Sequence, residues 1–83
     1  MSRPGYWMYE TGGALRPAIV AYLNRDPIND EQIALIRAYL RQWVAGFHGP
    51  DVERLADEVD GVVDRAAIDR FLYKCDQIGI DPL

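Results

Sequence analysis

From Ile33 to Phe47 the apolar residues fall three and four apart: Ile33, Ile36, Leu40, Trp43 and Phe47, flanked by Leu35, Tyr39 and Val44. That period lines one helical face with a broad apolar stripe, which has to be buried against something. The charged residues Glu31, Arg37 and Arg41 lie off the stripe. Signals at both ends set the limits of this helix. Asn29 is a good N-cap, and Gln32, three residues on, can reach back to its amide as the second half of a capping box. Ile28 and Ile33 have the spacing of a hydrophobic staple, and Gly46 is expected to end the helix in a left-handed conformation.

Three further helices follow from weaker patterns. Leu15 to Leu23 reads as a helix with Ile19, Val20 and Leu23 on one face and Ala18 and Tyr22 at its margins. Pro17 is tolerated there because first-turn amides have no helical partner. Pro27 pushes Asp26 out of helical geometry and closes that segment. After the Phe47–His48–Gly49–Pro50 turn, Val52, Leu55, Ala56 and Val59 mark a short helix from about Asp51 to Asp60, stopped by Gly61. The last helix takes Asp64 as N-cap, Val63 and Ile68 as staple, and Ile68, Phe71, Leu72, Cys75 and Ile78 as buried face. Gly79, Ile80 and Pro82 predict a left-handed stop.

The first thirteen residues do not share this periodicity. Tyr6, Trp7, Met8 and Tyr9 stand in a row between Pro4–Gly5 and the Gly12–Gly13 joint. The expected architecture is therefore all-α: a small compact bundle of about four helices over residues 14–83, preceded by an irregular aromatic-rich arm over residues 1–13. No internal repeat or low-complexity tract is present.

Eighty-three residues can build only a modest core. No apolar run approaches the roughly 18 residues that span a bilayer, and no secretory h-region is seen, so no membrane partner is expected and a cytoplasmic address is. The net charge of −4 is unevenly spread. Residues 1–48 carry five Arg against four acids; residues 49–83 carry four basic residues against nine acids. An acidic C-terminal half disfavours phosphate and nucleic acid, and suits a basic or neutral partner.

Candidate chemistry is sparse. Ser2 is the only serine, His48 the only histidine and Cys75 the only cysteine. The lone cysteine sits on an apolar helical face, where a buried structural thiol is expected. The acids Asp51, Glu53, Asp57, Glu58, Asp60 and Asp64 follow helical spacing rather than that of a calcium loop, and no phosphate loop exists. No catalytic group, cofactor or metal site is expected. The aromatic residues Tyr6, Trp7 and Tyr9 are candidates for a protein contact, because Trp and Tyr dominate interface hot spots. Glu53, Asp57 and Asp60 are the acidic candidates.

Leu55–Ala56, Gly61–Val62, Ile68, Leu72 and Gly79–Ile80 are loosely similar to helix-turn-helix DNA-binding segments. The likeness covers about thirty residues, and the turn is one or two residues longer than the pattern. It implies Arg65, Arg70 and Lys74 as DNA contacts, beside Asp64, Asp69 and Asp76 on the same helix. DNA affinity comes largely from clustered positive charge, which this half of the chain lacks. The expectation is a non-enzymatic interaction or regulatory domain that binds a protein partner or itself. A helix-turn-helix regulator is the alternative.

Overall fold

The computed structural model describes Trp7 and residues 13–83. Among these residues there are four α-helices and no strand: α1 Leu15–Leu23, α2 Asp30–Val44, α3 Pro50–Glu58 and α4 Arg65–Gln77. A 3₁₀ turn, Val59–Gly61, runs on from α3.

The start of α2 is the capping box its sequence encodes. The Asn29 side chain accepts from the Gln32 amide at 2.8 Å, and the Gln32 side chain accepts from the Asn29 amide at 2.9 Å. Asp30 and Glu31 in the first turn and Arg41 in the last suit the helix dipole. Its far end differs from the sequence expectation, because Gly46 is not left-handed. The Gly46 amide donates to the Trp43 carbonyl at 3.2 Å and the Phe47 amide to the Val44 carbonyl at 3.0 Å. These tight bonds satisfy the last carbonyls without a positive φ. They also keep Phe47 near the helix, where its ring lies 4.5 Å from that of Trp43. The left-handed glycine comes later, at Gly49 (φ +131°), which leads Pro50 into the first turn of α3.

The two flanking helices correct the predicted faces. On α1 the buried residues are Leu15, Ala18, Ile19 and Tyr22, while Val20 and Leu23 are 38% and 49% exposed. Apolar side chains cover most of α1's circumference, so the expected face of Ile19, Val20 and Leu23 is rotated: Ala18 and Tyr22 turn inward with Ile19, and Val20 and Leu23 turn out. The polar anchors of Tyr22, described below, decide this rotation. Before α4, Asp64 caps the helix through the Ala67 amide at 2.8 Å as expected. Val63, however, is 61% exposed and makes no staple; Val62 is buried in its place. The extended residues between the 3₁₀ turn and α4 alternate sides, so only one of the two valines can face inward.

One cluster gathers the buried side chains of all four helices, with Ile19, Ile36, Leu40, Val59 and Ile68 fully enclosed and Trp7 included. Burying a branched aliphatic side chain contributes about 1.5–3 kcal/mol, so each member matters in so small a core. Helices α1 and α3 both pack on α2, and α4 packs on α3. The end of α4 is a Schellman motif: the Ile80 amide donates to Cys75 O at 3.0 Å and the Gly79 amide to Asp76 O at 3.1 Å, with Gly79 at φ +81°. The Tyr39 hydroxyl then donates to the carbonyl of buried Pro82 and pins the C-terminal residues to α2.

Candidate functional site

The basic residues of this chain meet different fates, and those fates define the surface. Arg37 and Arg41, one turn apart on α2, both reach the connection between α3 and α4. Arg37 Nη1 donates to Val62 O at 2.8 Å, and Arg41 pairs with Asp60. The short basic strip is thus a clamp on the 3₁₀ turn. Of the acidic candidates, Asp60 is consumed by this contact.

Arg65, at the start of α4, is likewise turned inward. Its Nη1 donates to Tyr22 O at 3.0 Å and its Nη2 donates to Asp26 O, so it caps the end of α1. Its guanidinium carbon lies 5.2 Å from the centre of the Tyr22 ring, a cation–π distance. The Tyr22 hydroxyl donates to Asp69, four residues further along α4. Burial first, and then the Asp69 carboxylate, holds the Tyr22 hydroxyl well above its ordinary pKa. Arg25 contributes a looser ion pair to Asp69 at 3.9 Å.

The other side of α4 is open. A groove of about 300 Å³ runs between α3 and α4. Val62, Ala67 and Phe71 form its apolar floor, Asp57 and Glu58 stand on the α3 side, and Arg70 and Lys74 stand on the α4 side. Lys74 Nζ donates to Glu58 at 2.6 Å and bridges the two walls. Asp57 and Arg70 are exposed, and neither has an ionic partner among the described residues. Glu53 lies one turn before Asp57 on α3, also exposed. The structure therefore brings two residues from the DNA-contact set, Arg70 and Lys74, together with Asp57 from the acidic set. Arg65 and Asp60 are committed elsewhere.

Of the aromatic candidates, Tyr6 and Tyr9 lie outside the described residues. Trp7 is 8% exposed and belongs to the core cluster; its indole Nε1 is buried with no acceptor among the described residues. The aromatic residue that does stand out is one the sequence pattern did not single out. Tyr73 is 66% exposed on α4, three residues after Arg70 and so beside it on the outer face. Its offset from the Ile68–Phe71–Cys75 stripe was the available signal.

Cys75 is fully buried, and its thiol is pushed up to about 12, chiefly by burial and then by Asp81. It stays protonated and unreactive near neutral pH, as a structural thiol does. His48 is exposed in the turn before α3. Among the described residues no group of three His, Cys, Asp or Glu side chains is placed to share a metal ion, and no helix is long and apolar enough to cross a membrane. No protein-family model matches the chain, and no curated protein or solved structure is significantly similar to it.

Proposed function

We propose that this chain is a small non-enzymatic interaction or regulatory domain, acting in the cytoplasm, that binds protein through the acidic α3 side of its surface. One observation carries the reading. The cations that a nucleic-acid surface would need are mostly paired with groups of the same chain, whereas two acids of α3 face out unpaired among the described residues. Arg37, Arg41, Arg65 and Lys74 each bond a carbonyl or carboxylate of the same chain. Glu53 and Asp57, one turn apart, have no ionic partner among the described residues. Two like charges at that spacing repel slightly within the helix, and a cationic partner would relieve this. Trp7 fills the chain's own core, which favours the acidic side over the aromatic residues as the binding surface.

The test is capture from a host lysate, with and without nuclease, using wild-type bait and bait carrying Glu53→Lys and Asp57→Lys. A stoichiometric protein that survives nuclease and is lost with the double variant is expected. Recovery that depends on nucleic acid, and weakens steeply with salt, would instead restore the helix-turn-helix reading.

A further inference from the structure

We propose that the α3–α4 groove is a self-complementary docking surface whose occupant is a second copy of this chain, related by a two-fold axis. The proposal rests on the protein-interaction reading above and names its partner. Three observations converge on the groove. Its walls carry two acids, Asp57 and Glu58, and two bases, Arg70 and Lys74, so it is locally neutral. The acidic C-terminal half as a whole is not neutral. Two copies of an acidic protein repel over most of their surfaces, and approach most easily where each presents both signs. Within the groove, Lys74 and Glu58 satisfy each other, which leaves Asp57 on one wall and Arg70 on the other without ionic partners among the described residues.

A two-fold interface requires that if residue i meets residue j of the partner, then j meets i. One unpaired acid and one unpaired base on opposite walls meet that condition. Arg70 of each copy pairs with Asp57 of the other, twice over. The exposed Tyr73, beside Arg70, supplies the apolar contact that a purely ionic surface would lack. Arginine and tyrosine are among the residue types that most often carry interface energy.

The decisive experiment mixes charge-reversed variants of the full chain and follows mass by sedimentation or light scattering across concentration. Wild type is expected to dimerise reversibly. Arg70→Glu alone and Asp57→Lys alone each place like charges at both pair positions, and each should weaken self-association by more than about tenfold. Mixed one to one, they should form a heterodimer of near wild-type affinity. The two reversed charges then meet each other across the interface, and the untouched Asp57 of one chain meets the untouched Arg70 of the other. A pair formed within one chain is not restored by mixing, so the rescue separates the two cases. Both reversed positions lie on the surface, and helical circular dichroism checks that each variant is folded. Tyr73→Ala should also weaken the dimer.

A wild type that stays monomeric to millimolar concentration overturns the proposal. So does a dimer indifferent to both charge changes, which would place the contact elsewhere. A monomer leaves the broader reading standing if lysate capture still returns a protein lost with the Glu53 and Asp57 changes. Loss of both results removes the broader reading as well.

Discussion

The two sides of α4 carry similar residues and behave oppositely. Toward α1, Arg65 and Asp69 are bound to Tyr22 and to the chain beyond it, and the contact is closed. Toward α3, Arg70 lines a groove with the Asp57 carboxylate opposite, which has no ionic partner among the described residues. Arg65 and Arg70 are five residues apart in one helix, which sets them about 140° apart around its axis. What separates a structural arginine from an available one is therefore the neighbour each side presents. On one side lie the Tyr22 and Asp26 carbonyls, at and beyond the end of α1; on the other lies Asp57, beside the Lys74–Glu58 pair that bridges the two walls. A carbonyl oxygen has two lone pairs, so Tyr22 O accepts from the Arg25 amide and from the Arg65 guanidinium together.

The most severe way to break the comparison is to remove what both sides share. Ile68 is fully buried on α4 between them. Ile68→Ala should destabilise the fold by about 2–5 kcal/mol, a large part of the stability of a domain this small, and should release both sides together. Urea unfolding followed by circular dichroism reads this directly. A loss below about 1 kcal/mol would mean that α4 is not anchored as described.

The two arginines should then differ sharply from each other. Arg65→Ala removes donors to Tyr22 O and Asp26 O and the cation over the ring, and should destabilise by about 1–3 kcal/mol. Arg70→Ala should change stability by no more than about 0.5 kcal/mol, as exposed substitutions usually do. Equal effects in urea unfolding would erase the distinction.

This distinction marks the limit of what the residues disclosed on their own. The capping box at Asn29, the cap at Asp64, the Schellman stop at Gly79 and the buried Cys75 were all legible. Each depends on residues within a few positions of one another. The inner face of α1, the exposure of Val63 and the fate of Arg65 depend on how distant segments pack. Tyr22 meets Asp69 and Arg65, more than forty positions away, and no local pattern encodes that meeting. The groove was half legible for the same reason. Arg70 and Lys74 belong to the DNA-contact expectation and Asp57 to the acidic one, and only the packing of α3 on α4 joins them.

Alkaline pH probes the closed side and the core from within. Tyr22 has its pKa raised in the folded state above the ordinary 10.0, and Cys75 is raised from 9.0 to about 12. In both cases the folded chain holds its proton more tightly than the unfolded chain. The associated stabilisation is complete below the unfolded pKa and is lost as pH rises toward the folded one. Urea midpoints should therefore be insensitive to these groups up to about pH 9 and should fall between pH 9 and 12. Tyr22→Phe should remove the part of the fall that begins near pH 10.0, and leave the part due to Cys75. A midpoint constant to about pH 11 would contradict the burial of both groups.

The smallest expected effect tests how α1 is finished. Arg25 follows α1 at φ +63°, with the Arg25 amide bonded to Tyr22 O at 3.2 Å and the Asp26 amide to Ala21 O at 2.9 Å. This is the same Schellman geometry that closes α4, but with arginine where α4 has Gly79. A Cβ in that conformation costs about 1–2 kcal/mol, against about 0.5–1 kcal/mol of extra chain entropy that glycine loses on folding. Arg25→Gly should therefore stabilise the protein by up to about 1 kcal/mol. The loose Asp69 pair that it gives up is exposed and contributes little. Gly79→Ala should lose a similar amount at the matching position of α4, where an added Cβ meets no neighbouring atom and only the backbone angle opposes it. Opposite signs from the two substitutions, measured as urea midpoints, would show that both helices end by one device and that the Arg25 side chain is not what holds α1 closed. A loss on Arg25→Gly would instead assign the Arg25–Asp69 contact a larger share of the closed side than its 3.9 Å geometry suggests.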